Sequence, residues 1–163
     1  MLKYTMHNHT YRCKHAVGDE EEMIKQAISD GFEVVGISDH IAYPISATMF
    51  RMEYEEKDEY LSLLDKYRLK YQDKIKVYRG FEAEYEERFK EYIVDMYLND
   101  RIDYLALGQH YYDVEKPETY HGNISVPSDL YLYVDQCIDA MKSGLFLFFA
   151  HPDLCFNYIY NFD

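Results

Sequence analysis

Five short apolar runs recur along this chain, and each gives way at its C-terminal end to a histidine or a carboxylate. Leu2, Tyr4 and Met6 alternate before His7 and His9, and Phe32 to Ser38 precedes Asp39 and His40. Ile75 to Glu82 ends in Glu82 and Glu84, Asp103 to Gly108 runs into His110, and Leu145 to Ala150 runs into His151. Segments of helical spacing lie between the runs. Asp19 to Glu22 opens a first helix with the acidic residues that a helix N-terminus favours, Met23, Ile24, Ala27 and Ile28 supply its apolar face, and Gly31 ends it. A second is predicted from about Glu55 to Tyr71, with Leu61, Leu64, Tyr67 and Tyr71 in register. A third runs from about Glu86 to Leu98, with Phe89, Ile93, Met96 and Tyr97 inward. The fourth takes Ser128 as N-cap, turns Leu130, Val134, Cys137, Ile138 and Met141 inward, and stops at Gly144. Strand and helix alternating in this way predict a parallel α/β architecture. In barrels of that kind the ligand-binding face is the C-terminal end of the strands, so five polar strand ends would converge on one point.

The 163 residues fit a single domain, and 48% apolar residues is a globular composition. A formal net charge of −13 argues against a nucleic-acid or anionic-membrane surface, because phosphates would be repelled over most of the protein. A phosphorylated substrate would need a local reversal of that field, which bound divalent cations supply. Cys13, Cys137 and Cys155 are widely spaced and odd in number, which disfavours a disulfide framework and fits a reducing cytoplasm. No signal pattern opens the sequence and no apolar run approaches the roughly 20 residues that span a bilayer, so a soluble, cytoplasmic protein is expected.

The chemistry concentrates first in Met6 to His15. In a strand, residues two apart share a face, so His7 and His9 would present two imidazoles side by side, and His15 follows past a six-residue turn. Such a pair is either the beginning of a metal site or two surface histidines of an edge strand. Cys13 is a ligand or, more simply, a small buried packing residue. Six histidines and a strand-end glutamate exceed what one four-coordinate ion needs, so two or three metals follow. Closely spaced metals suit phosphate-ester hydrolysis, and a carboxylate such as Glu82 can bridge two of them. A serine nucleophile is disfavoured, since neither Gly-x-Ser-x-Gly nor a glycine-rich phosphate loop is present. The Tyr111 to Pro127 connection is long enough to cover a site, and its His121 is taken as a loop histidine.

His7-Asn8-His9-Thr10, His15, Ser38-Asp39-His40, Gly80-Phe81-Glu82, His110 and Ala150-His151-Pro152-Asp153 resemble the successive motifs of the PHP (polymerase and histidinol phosphatase) family. The phrases His7 to Ala16 and Gly31 to His40 are most similar to its histidinol-phosphate phosphatase branch. The resemblance implies a distorted (β/α)7 barrel, of which about five βα units are present, holding three metals, usually zinc, manganese or iron. His7, His9 and Glu82 would hold the first, Glu82, His110 and His151 the second with Glu82 bridging, and His15 and His40 the third. A metal-bound hydroxide would attack the phosphorus of a small phosphorylated metabolite, L-histidinol phosphate, late in histidine biosynthesis. Asp39, Glu84 and Asp153 would stand behind the imidazoles. Arg12 would meet substrate phosphate through its fork, unless it and Arg51 are solvated loop residues. Another phosphoesterase of the same family, or a metal-binding but inactive partial barrel, are the alternatives.

The family closes its site with a late Asp-x-His motif, and none occurs here before the sequence ends at Phe162 and Asp163. The resemblance therefore implies a single domain over 1–163 that lacks its C-terminal part, with the first and third metals each one ligand short. The fifth strand would be an open edge flanked by Phe146, Phe148, Phe156 and Tyr158, and either a missing segment or a second copy of the chain would cover it.

Overall fold

The computed structural model describes residues 3–45, 50–100, 102–124 and 126–156; Leu2, Tyr158 and the last two residues lie outside the described residues. Strand and helix alternate as the pattern predicts: β1 (Tyr4–Thr5), α1 (Glu20–Ser29), β2 (Val34–Ile37), α2 (Lys57–Lys70), β3 (Lys76–Ala83), α3 (Lys90–Asp95), β4 (Tyr104–Leu107), α4 (Pro127–Ser143) and β5 (Phe148–Phe149). The strands pair in chain order, every pair parallel, in a sheet curled into a half-barrel.

The curl is visible in the register of β3. Its first half, Lys76 to Arg79, pairs with β2, and its second half, Gly80 to Ala83, pairs with β4. Successive strands thus slide along one another, which is the stagger that curling a sheet toward a barrel requires. Small residues on the inner face make room for one long side chain. Tyr104 leaves β4 so close over Gly80 and Gly36 that a Cβ at either position would fall well under 3.0 Å from its ring. Its hydroxyl donates to the Met6 carbonyl at 2.8 Å. One phenol therefore ties β4 to the segment following β1 across two intervening strands.

The helices cover the other side. Ile24, Tyr60, Leu64 and Ile93 pack with Val35, Val77 and Leu105 in one buried cluster. α1 starts at Asp19, whose Oδ1 accepts from the Glu22 amide at 2.8 Å while Glu22 Oε2 accepts from the Asp19 amide at 3.0 Å, a reciprocal cap worth about 1 kcal/mol. α3 is entered by a tight turn, Glu87–Phe89, and continued by a wide turn, Met96–Asp100, with Phe89, Ile93 and Met96 buried as the spacing predicts. No helix among the described residues is long and apolar enough to cross a membrane.

α4 departs from its expected start and face. Pro127 occupies the first helical position and Val126 the N-cap, so Ser128 lies inside the first turn. The residue before a proline is driven to extended backbone, and Val126 stands at φ −133°, ψ 149°, leaving Pro127 to begin the helix with its φ already set. The buried stripe is Tyr133, Cys137 and Ala140, whereas Val134, Ile138 and Met141 face outward. β5 is shorter than its apolar run suggests and closes the order of the sheet, with Leu147 and Phe156 exposed and Phe146 packed against the core.

Candidate metal centre

The polar strand ends meet on Glu82. Its backbone continues the β2–β3 pairing past Ile37, donating to the Asp39 carbonyl at 3.0 Å and accepting from the Ile41 amide at 2.8 Å, so His40 is carried to its side. The ends of β3 and β4 are locked by Gln109, whose Oε1 accepts from the Tyr85 amide at 2.8 Å and whose amide donates to the Tyr111 carbonyl at 2.9 Å. Gly108 lies directly beneath the Glu82 carboxylate, where a side chain would collide with it. Neither Gln109 nor Gly108 carries a sequence signal of its own.

Five imidazoles form a ring around this carboxylate. The centroid separations run 4.9 Å from His7 to His9, 4.7 Å from His9 to His40, 4.9 Å from His40 to His110, 4.9 Å from His110 to His151 and 5.6 Å from His151 back to His7. His15 sits outside the ring against His9 and His40, at 5.1 and 5.2 Å. Glu82, 1% exposed, divides its two oxygens between the two sides. Oε2 faces His9 Nε2 at 3.0 Å, His7 Nε2 at 3.2 Å and His40 Nδ1 at 3.5 Å, while Oε1 faces His151 Nε2 at 2.7 Å and His110 Nε2 at 3.5 Å. Although the chain forms half a barrel, its strand ends already close a ring.

Electrostatics holds the charges as drawn. Burial alone would push the Glu82 carboxyl up, but the imidazoles of His151, His7 and His9 outweigh it and hold the group well below the usual carboxylate range. Burial pushes His40 well down against the pull of Glu82, which favours the neutral imidazole. Contact with Glu82 raises His151. His151 is also held at φ +33°, a left-handed conformation that a side chain adopts at a cost.

Behind the ring, Asp39 accepts from the amide and hydroxyl of Thr10, both at 2.6 Å, and its Oδ1 lies 3.9 Å from His9 Nδ1. Glu84 Oε1 faces His110 Nδ1 at 3.1 Å, and His15 Nδ1 faces the Cys13 carbonyl at 3.0 Å. Asp153 differs from its expected place: it is exposed, and the buried His151 Nδ1 has no hydrogen-bond partner among the described residues. Cys13 is fully buried with its Sγ on the Thr10 carbonyl, and burial pushes its thiol up to about 11, which fits a packing residue.

Both arginines overturn their sequence reading. Arg12 is 3% exposed, with Nε on Glu20 at 2.5 Å and one terminal nitrogen on Glu56 and Glu59 at 3.3 and 3.1 Å, so its guanidinium is committed to three carboxylates instead of to solvent or a substrate. Arg51 is equally buried, against Glu84. The net charge of −13 leaves many carboxylates in search of cations, and a local sequence window does not show which arginine they capture. His121 is in the loop but buried, its Nε2 on Gln136 at 2.8 Å, its ring on Tyr133 and its amide on the His110 carbonyl at 2.7 Å.

A pocket of about 530 Å³ opens over His15, His40, His110 and His151, walled by Phe50, Tyr111 and Tyr120. Tyr111 and Tyr120 come from the long loop that the sequence marks as a cover. A larger groove of about 760 Å³, lined by charged residues such as Glu86, Arg88 and Lys142, carries none of these histidines.

The donor set suits a divalent first-row ion. Imidazole nitrogens and a carboxylate are borderline-to-hard ligands, and His9 Nδ1 and His151 Nδ1 are buried polar atoms still lacking a partner among the described residues. Donor atoms within 4.8 Å of one another group as His7, His9 and Glu82, as His40, Glu82 and His110, as His9, His15 and His40, and as His9, Cys13 and Asp39. His9 recurs in three of these groups, and His40 and Glu82 in two each.

The PHP domain family profile matches residues 5–160. No curated protein matches the chain. Among solved structures, the histidinol phosphate phosphatase HisK of Lactococcus lactis subsp. lactis Il1403, complexed with zinc, L-histidinol and phosphate, superposes with a TM-score of 0.72 at 19% identity, covering 93% of this chain and 58% of that one. A Listeria monocytogenes protein assigned by name as histidinol phosphatase HisK superposes with a TM-score of 0.73 at 20% identity, covering 94% of this chain and 68% of that one. The chain thus spans about three fifths to two thirds of the length of these two structures.

Proposed function

This chain belongs to the PHP domain family, and from that premise we propose that it is a metal-dependent phosphoric monoester hydrolase acting on L-histidinol phosphate. The observation that carries the reading is the closed ring of imidazoles around one buried carboxylate whose two oxygens face opposite sides. His7, His9 and Glu82 would hold one ion and Glu82, His110 and His151 a second, with His15 and His40 beside them for a third. Zinc is the ion of choice for imidazole-rich sites, with manganese or iron as alternatives. When bound, such ions lower the pKa of coordinated water toward neutrality and neutralise phosphoryl oxygens.

The protein residues do the remaining work. Glu82 spans the two sides, Glu84 orients the ring of His110, Asp39 places a carboxylate 3.9 Å behind His9, and Phe50, Tyr111 and Tyr120 offer an apolar wall to the organic part of the substrate. The Lactococcus neighbour carries zinc, L-histidinol and phosphate, which supports this substrate.

The test is phosphate release by the zinc- or manganese-loaded chain from L-histidinol phosphate and from p-nitrophenyl phosphate, alongside metal content. Turnover of the first with two to three ions per chain is expected. Hydrolysis of p-nitrophenyl phosphate alone would reject the specificity, and bound metal with neither substrate turned over would reject the activity in favour of an inactive metal-binding fold.

A further inference from the structure

We propose that Arg51 is a positioning residue for the centre, fixing the Glu84 carboxylate so that the His110 ring presents Nε2 to Glu82. The role rests on the reading of His110 as a metal ligand.

Arg51 is held from three directions. One terminal nitrogen donates to both Glu84 oxygens, at 3.1 and 3.2 Å, the other donates to the Ile41 carbonyl at 3.1 Å, and the guanidinium lies 5.4 Å from the Tyr43 ring centroid. Glu84 is fully buried and its own carbonyl accepts from the Tyr43 hydroxyl at 2.7 Å, so backbone and side chain are both pinned. The carboxylate then offers Oε1 to His110 Nδ1 at 3.1 Å. Glu84 is the nearer of the two carboxylates that flank the ring, so Nδ1 carries the proton, and the Nε2 lone pair, on the Glu82 side at 3.5 Å, is left for an ion that both would hold.

The geometry depends on a fork and not only on a charge. A lysine ammonium at position 51 would be a point charge on a flexible stem, without the planar donors that meet Glu84 and Ile41 together. Arg51 also borders the pocket, and among the described residues both its terminal nitrogens donate to the protein, to Glu84 and Ile41.

Zinc titration of the metal-stripped full chain against a chromophoric chelator tests the role. Arg51→Met is expected to weaken one bound ion about 10–100-fold and leave the others in place. Glu84→Gln should do the same, the double variant should lose no more than Glu84→Gln alone, and Arg51→Lys should restore little. Unchanged zinc affinity in Arg51→Met, losses that multiply in the double variant, or full rescue by lysine would overturn the proposal. Should Arg51→Met fail to fold, histidine-selective nitrogen NMR of the zinc-loaded wild type decides: a His110 ring protonated at Nδ1 and bare at Nε2 is expected, and a ring protonated at Nε2 overturns the role. A wild type that binds no zinc would refute the metal centre and this role with it, whereas normal wild-type binding with unaffected variants refutes Arg51 alone.

Discussion

Gly108→Ala adds one methyl group directly beneath the carboxylate on which the ring converges. The new Cβ would lie 2.6 Å from Glu82 Cδ and 2.6 Å from His110 Cε1, and still closer to Glu82 Oε1. Ordinary carbon contacts sit near 3.5–4.0 Å, so the carboxylate and the ring must each retreat by about 1 Å. Neither has room. Glu82 Oε2 already meets His9 at 3.0 Å and His7 at 3.2 Å, and the Gly108 amide is tied to the Ala83 carbonyl at 3.1 Å. Overpacking of this kind costs about 1–3 kcal/mol, which in a domain of this size lowers the melting temperature by about 2–4 °C per kcal/mol. The larger effect is expected on zinc affinity, since a displacement of about 1 Å at a positioned group can cost on the order of 100-fold. Gly31→Ala is the control. Gly31 has φ +74° and nothing within 4 Å of an added Cβ, so alanine there strains the backbone without touching the ring. Calorimetry and zinc titration of both variants should show two destabilised proteins, only one of which has lost zinc. A Gly108→Ala protein with wild-type zinc affinity would refute the placement of Glu82.

Tyr104→Phe removes the hydroxyl that reaches Met6, and a loss of about 0.5–1.5 kcal/mol is expected in urea unfolding; an unchanged midpoint would mean that β1 is held by other contacts. Arg12→Met should destabilise by about 3–5 kcal/mol, because Glu20 is left buried without its cation, while KM for a phosphorylated substrate stays at the wild-type value. A raised KM in the folded variant would restore Arg12 to the substrate site. Acid stability follows Glu84. Burial opposes its ionisation, yet Arg51 and His110 hold its carboxyl down at about 2 against 4.5 when unperturbed. The folded state therefore binds fewer protons between those values, and stability on the order of 3 kcal/mol, present above pH 4.5, is lost as the pH falls toward 2. Urea midpoints of the metal-stripped protein that stay flat between pH 4.5 and 2.5 would contradict this.

Most of the residues that gather at Glu82 were legible one segment at a time. Each of His7, His9, His40, Glu82, His110 and His151 follows an apolar run, and a run of that kind commits its own C-terminal end to the open side of a parallel sheet. His7 and His9 needed only the two-residue period of an extended chain to stand side by side. The start of α1 was equally local, since a cap joins residues three apart. Misreadings occurred where several apolar residues or several charges competed for one place. α4 carries apolar residues on more than one face, and helical spacing alone did not show that Tyr133, Cys137 and Ala140 would be the buried set. Arg12, flanked in sequence by histidines, read as either a phosphate contact or a solvated loop residue, whereas its neighbours in space are carboxylates.

The sequence by itself determined the alternation of strand and helix, the parallel sheet and the residues that stand at its strand ends, because hydrophobic period, capping and turn chemistry act over a few residues. Only the tertiary structure decided how those side chains are supported. Tyr104 reaches a carbonyl 98 residues away, Arg51 and Glu84 are 33 apart, and Gly108 is required by a carboxylate on the neighbouring strand. Such contacts follow from the stagger of the curled sheet, which brings distant positions into register and leaves no trace in any single segment.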